Sequence, residues 1–512
     1  MADTVIHTKP VFPATRINFW SSDFAILLYI ALTTVLLHVV TGGRYGFHRD
    51  ELATLDDARH LDWGFVAYPP VTPFFGHLSL ALFGTSLAGF RFFAAVVQAA
   101  AVLLTGLMTK ELGGTRRAQL AAAFAAIPFC LGAGALMQYV SFDYFFWVLA
   151  AYFIIRLLQS DEPRWWLAIG GAIGFGMQTK YTMGFFVLGI VAGVLFTGAR
   201  RYFLTRWLWY GVAVSVLIFL PNLLWQARHD FISLDFLNSI HARDVRFGRA
   251  NNFLPDQLNM TLLAFPLWIA GLYFCLLSTK GKPFRMLGWM YVVPLILLLL
   301  AKGRGYYLAP AYPMLYAAGS TWGEQWLART HRGRASFVRV LAWAALLADV
   351  VLVSAITLRI APVNSSLWRF ATRFDGDLRE ELGWTELVET VAQIRDKLPD
   401  RDRLQLGILA GNYGEAGAIN LYGPQYRLPS AISGTNSFWL RGYGDPPPQT
   451  LIVLGMSREF AQENFASCEL AAHSWNRQHV LNEETEEHPD IYVCRGLKQP
   501  WPDFWRNFRR FG

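Results

Sequence analysis

A chain of 512 residues in which 54% of side chains are hydrophobic and only 16% charged is too apolar to be a string of soluble domains, where charged residues run to roughly 25%. The net charge of +8 does not mark a nucleic-acid binder, because the lysines and arginines sit in short loops between apolar runs and form no basic face. An aromatic content of 15% suits many membrane interfaces, so the chain reads as a polytopic membrane protein.

Residues 1–21 are short and mixed, with Lys9 and Arg16 ahead of the first apolar run, Asp23 to Thr41. That run is close to the ~20 residues a bilayer requires. A signal peptide has a shorter apolar core, and Thr41-Gly42-Gly43-Arg44-Tyr45 is a poor cleavage site, so this is a retained first helix with a cytoplasmic N-terminus. Next comes a dense cluster of charge, Phe47-His48-Arg49-Asp50-Glu51-Leu52 and Asp56-Asp57-Ala58-Arg59-His60-Leu61-Asp62-Trp63-Gly64, in an amphipathic outer loop spanning 42–85. In it Leu52, Leu55 and Phe65 are expected to face lipid or protein while Asp56, Arg59 and Asp62 face water, until Tyr68-Pro69-Pro70 ends the surface segment.

Further spans are expected at 86–109, 118–137, 142–159, 165–179, 182–198, 207–227, 259–278, 286–301, 308–327 and 336–357, about eleven in all. Alternate loops carry Lys110, Arg116 and Arg117; Arg156 and Arg164; Arg200, Arg201 and Arg206; Lys280, Lys282 and Arg285; then Arg329, Arg332 and Arg334. All fall on the side of the N-terminus, as the positive-inside rule demands, and an odd number of spans puts the C-terminal part outside. From about 358 the composition turns polar, with strands expected at 404–409, 451–454 and 491–493 and helices at 383–398 and 457–466. The chain thus divides into a membrane part, 1–357, and an extracytoplasmic α/β domain, 358–512. Cys130 and Cys275 lie in apolar runs and read as inert; Cys468 and Cys494 are free to pair if their domain faces an oxidising compartment.

Reactive side chains gather on the outer face. Asp50 and Glu51 are the candidates for a carboxylate that takes a proton from an attacking hydroxyl, the alternative being that they only cap the helix starting there. Asp143 stands at the outer start of a span, as a ligand or as an interfacial cap. Lys180, Lys302, Arg304, Tyr306 and Tyr307 are suitable donors to a phosphate that gains charge as a sugar leaves, although Lys302 and Arg304 also fit plain snorkelling. His229 and Asp230 form a possible binding pair, and His48, Asp50 and His60 a possible divalent-metal set whose spacing matches no specific pattern.

These stretches resemble a known family. Phe47 to Leu52, Ala58 to Gly64 and Tyr68-Pro69-Pro70 are similar to the first outer loop of bacterial GT-C fold glycosyltransferases of the protein O-mannosyltransferase and aminoarabinose transferase type. Gln178-Thr179-Lys180-Tyr181, Asn222-Leu223-Leu224-Trp225-Gln226, Tyr306-Tyr307-Leu308-Ala309-Pro310 and Asn412-Tyr413-Gly414-Glu415-Ala416-Gly417-Ala418 extend the likeness over most of the chain. The resemblance implies a bacterial inner-membrane enzyme with a polyprenyl-phosphate sugar as donor, and transfer with inversion on the outer face. The acceptor would be a glycolipid, a surface polysaccharide or a protein. It further implies that Asp50 is catalytic and that Lys180 and Lys302 bind the lipid phosphate. Asp143, His60, His229 and Glu415 are further candidates, for substrate binding. Members of the family differ over a divalent metal, so none carries over. The competing reading is a transporter or flippase of lipid-linked sugars. Against it stand the missing internal repeats and span interiors nearly free of ionisable groups, Asp349 excepted.

Overall fold

In the computed structural model the described residues are Trp20 and 22–512; Lys9 and Arg16, which helped to orient the first span, lie outside them. Each expected span falls on helix. The first is α1 (Asp23–Thr41), followed by the outer-loop helices α2 (Arg49–Arg59) and α3 (Val71–Phe83). Then come α4 (Leu87–Glu111), α5 (Arg116–Ala133), α6 (Tyr139–Ser160), α7 (Trp165–Met177), α8 (Met183–Phe196) and α9 (Arg206–Arg228). Two further helices, α10 (Ile232–Arg246) and α11 (Phe253–Thr261), precede α12 (Phe265–Leu276), α13 (Arg285–Leu300), α14 (Tyr312–Ala328) and α15 (Arg332–Thr357).

Among the described residues seven helical segments are long and apolar enough to cross a bilayer, or eight if α8 is joined to the 3-10 turn that leaves it at 99°. The count of eleven therefore includes helices that do not reach that standard alone. One of these, α7, has 13 residues, and α14 has 17 and is buried along most of its length against α4, α5 and α12. The span expected at 259–278 is broken: α11 and α12 are separated by a short turn at 262–264. There the buried Asp349 of α15 accepts the Leu263 N–H at 3.3 Å. This acid inside a span thus satisfies a freed backbone donor, which hydrocarbon cannot do.

The helix α2 begins as a capping box. The His48 Nδ1 accepts from the Asp50 N–H (3.2 Å) and the Glu51 Oε2 from the His48 N–H (3.0 Å). Its apolar residues Leu52 and Leu55 face protein: both are buried against Trp384, Leu387, Val388 and Ile419 of the C-terminal region. Such burial contributes roughly 1.5–3 kcal/mol for each leucine. Asp56 departs from its expected watery face; it is buried, accepts from Asn420 at 2.7 Å and is paired with Arg441.

The C-terminal region carries α16 (Ser366–Ala371), α17 (Trp384–Lys397), α18 (Asp400–Leu404) and α19 (Tyr413–Tyr422). They surround a sheet of β1 (Leu406–Ala410), β2 (Ala431–Ser433), β3 (Thr450–Leu454), β4 (Phe465–His473) and β5 (Asp490–Leu497) in the order β2-β1-β3-β5-β4. The first three strands are parallel, and β5 and β4 run antiparallel. Three of the five strands were expected; the three-residue β2 was not, and neither was β4. Its Ala-rich, largely exposed run has poor strand propensity and is held at the edge by pairing with β5, including the Cys468–Cys494 disulfide. The sheet meets α2 through α19, where glycines permit close approach: a β-carbon at Gly417 would lie 2.7 Å from the Leu52 backbone, and one at Gly414 2.9 Å from the Arg49 Cβ.

Behind α19, Glu484 is buried and accepts from Asn412 at 3.3 Å. Burial, then the neighbouring Glu415 and Glu380 carboxyls, push it up to about 8 from an ordinary 4.5. Because the folded value lies above the unfolded one, the stabilising proton is retained at low pH and lost as pH rises through about 8. Melting temperature in detergent should therefore fall between pH 5 and 8 by an amount that Glu484→Gln removes. An equal pH slope in the variant would refute the assignment.

Candidate active site

The start of α2, the turn before α6, the α7–α8 turn, α10, the α13–α14 turn and α19 enclose one cavity of about 570 Å³. Asp50, Lys180, Lys302, Arg304 and Tyr307 all line it, so the structure brings these five sequence candidates together. Asp50 is 38% exposed. Its Oδ1 accepts from the Tyr413 hydroxyl at 2.8 Å and its Oδ2 from the Gln138 amide at 3.2 Å, with Arg49 Nε at 3.9 Å.

The Lys180 ammonium stands over three aromatic rings, 4.0 Å from the centroid of Tyr307 and 4.9 Å from those of Tyr139 and Tyr306. Tyr306 thus joins the site through its ring. Asp143 lies beneath this group and does not line the cavity; it accepts from Thr182 (2.9 Å) and Trp147 (3.1 Å). Burial pulls the ammonium of Lys180 below its ordinary range, the Asp143 charge opposing this and Arg304 adding to it. Lys302 is exposed to the cavity on a left-handed backbone, φ 49°, a conformation that costs a non-glycine residue energy and is concentrated at functional sites.

Other candidates are placed differently. Glu51 is fully buried and away from the cavity, where it receives Arg91 (2.6 Å) and the N–H groups of Met137 (2.9 Å) and His48 (3.0 Å). Against the upward push of burial, Arg91 and those amides hold its carboxyl below the usual range. It is an anchor, which corrects its grouping with Asp50. Arg304 lines the cavity with its charge already met, since Asp244 binds it at 2.5 and 2.9 Å. Glu415 is buried in the α19 capping box, accepting the Gly411 N–H at 2.9 Å; Tyr413 of the same motif is the residue that reaches the cavity. His60 is exposed and bound to the Asp56 carbonyl, and His229 stacks on Trp225 at 3.9 Å; neither lines the cavity. His48, Asp50 and His60 do not converge, and among the described residues no group of three or more His, Cys, Asp or Glu side chains is arranged to hold a metal ion.

Sequence reading missed Arg243. It lines the cavity from α10, and its Nε is buried without a hydrogen-bond partner. The signal was present in the helical spacing of Ile232, Phe236, Ile240 and Asp244 within what was read as an outer loop.

Comparison with known proteins agrees with this architecture. Residues 67–225 match the family model described as dolichyl-phosphate-mannose-protein mannosyltransferase. A crystal structure of ArnT from Cupriavidus metallidurans bound to undecaprenyl phosphate superposes with a TM-score of 0.57 at 15% identity, covering 91% of this chain and 97% of that one. The apo structure of the same protein gives 0.56 at 14% identity, with the same coverage. No curated protein sequence matches. The fold is the GT-C membrane fold that the sequence resemblance implied, with a small C-terminal sheet region.

Glu51 and Asp50 should separate experimentally. Glu51→Ala leaves Arg91 buried beside Glu381 alone and should cost about 3–5 kcal/mol, seen as poor yield and a lowered melting temperature. Asp50→Asn should melt as the wild type does. Equal melting of all three proteins would refute the anchor role.

Proposed function

We propose that this protein is an inverting glycosyltransferase that moves a sugar from a polyprenyl-phosphate donor to an acceptor hydroxyl at the outer face of the bacterial cytoplasmic membrane. The observation that carries this reading is that Asp50, Lys180 and Lys302 share one cavity. The family match and the ArnT-like fold support the transferase class. The undecaprenyl phosphate named for that ArnT structure supports the donor class.

The chemistry follows from the residues. Asp50 accepts the proton of the acceptor hydroxyl as its oxygen attacks the anomeric carbon. The bond from that carbon to the phosphate oxygen breaks in the same displacement, which inverts the centre. Lys180 and Lys302 take up the charge that grows on the departing phosphate, in a site where low dielectric strengthens the attraction. No second carboxylic acid is required, because phosphate leaves without protonation. The membrane part, 1–357, supplies these groups, and the 358–512 domain closes the cavity from outside. The Cys468–Cys494 disulfide supports an oxidising location for that domain. The acceptor is a glycolipid, a surface polysaccharide or a protein. The transporter reading needs ionisable groups along a mid-membrane path, and Asp349 is instead committed to the α11–α12 break.

A transfer assay with radiolabelled polyprenyl-phosphate sugar in membrane extracts tests the base. Asp50→Asn should lower turnover by roughly 10²–10⁴-fold while donor binding persists, and full transfer by the variant would overturn the reading. The cation makes a second expectation. Since burial lowers the pKa of Lys180, donor affinity should decline on the alkaline side well before the ordinary lysine value of 10.5, and Lys180→Arg should flatten that decline. An unchanged profile in the variant would assign the binding charge elsewhere.

A further inference from the structure

The proposed base is held from two sides, and one of them belongs to the C-terminal region. The Tyr413 hydroxyl donates to Asp50 Oδ1 at 2.8 Å and Gln138 donates to Oδ2 at 3.2 Å, so each carboxylate oxygen has one fixed partner and one open lone pair. Tyr413 is the first residue of α19, and three features fix its position. Asn412 and Glu415 close a capping box around that helix start, with the Glu415 N–H donating to the Asn412 side chain at 2.9 Å. Gly414 and Gly417 let α19 lie directly on α2. The Arg49 guanidinium sits 5.9 Å from the Tyr413 ring centroid and is paired at its tip with Glu483, also of the C-terminal region.

We propose that Tyr413 is a positioning residue for Asp50. The C-terminal sheet region thereby contributes a hydroxyl to the catalytic geometry as well as a cover to the cavity. This rests on the reading of Asp50 as the base. A carboxylate that takes a proton from a passing hydroxyl must present one lone pair along a fixed direction. Free rotation about its side-chain bonds would spread that direction over many orientations. The Tyr413 hydroxyl on Oδ1 and the Gln138 amide on Oδ2 remove that freedom.

Tyr413→Phe removes the hydroxyl and little else. Losing a hydrogen bond to a charged group should lower kcat roughly 10- to 100-fold, with KM for the donor unchanged. Melting temperature should match the wild type. A wild-type kcat in Tyr413→Phe beside an inactive Asp50→Asn would overturn this proposal and leave the base intact. Turnover by Asp50→Asn would overturn the reading beneath it. A fall in kcat accompanied by a raised KM for the donor, or by a lowered melting temperature, would make Tyr413 a structural support and also overturn the proposal.

Discussion

Arg91 reaches from α4 into the protein interior, and the outer face is arranged around the need to neutralise it there. Its guanidinium contacts Glu51 at 2.6 Å, Glu381 at 3.4 Å, and the carbonyls of Gly42 and Gly46 at 2.9 Å each. Glu381 is shared with Arg359, so two buried cations face two buried carboxylates. The partners come from separate parts of the chain: a membrane helix, the first outer loop, the end of α15 and the polar segment after it. A buried pair that loses one member leaves a charge that cannot reach water, which is far costlier than never having built the pair. The four segments must therefore arrive together. Successive residues on a helix are turned by about 100°, so fixing Glu51 inward at Arg91 turns its neighbour Asp50 toward the cavity.

The same logic separates what the sequence shows from what it hides. Charge at a membrane boundary is conspicuous because it is expensive, and that alone located Asp50, Lys180 and Lys302. Hydropathy put each expected span on a helix, with bends and breaks unseen where a side chain such as Asp349 repairs the backbone. Pairing was not legible. Arg304 and Arg243 look alike in sequence, yet Asp244 binds the first, 60 positions away, in two hydrogen bonds, while the Nε of the second is buried without a hydrogen-bond partner. That outcome depended on α10, a helix in a stretch read as a loop. Within Asn412-Tyr413-Gly414-Glu415, the carboxylate drew attention because acids do chemistry, but the fold uses it to cap a helix and sends the tyrosine to the site.

The two kinds of cation in the cavity have different work to do. Arg304 is bidentate to Asp244, a geometry that fixes the α13–α14 turn against α10 and spends the charge in doing so. Lys180 is held by ring faces, each contributing about 0.5–2 kcal/mol and none cancelling a full charge. Its nearest carboxylate influence, Asp143, is itself occupied by Thr182 and Trp147. On the proposed reading, a site that receives a phosphate and later lets a lipid phosphate go is served by a cation that is positioned without being neutralised. A carboxylate in direct contact would have to be displaced at every turnover. The tyrosine cage supplies position alone, so under that proposal a lysine beside three aromatic rings suits the departing phosphate better than Arg304, already bound to Asp244.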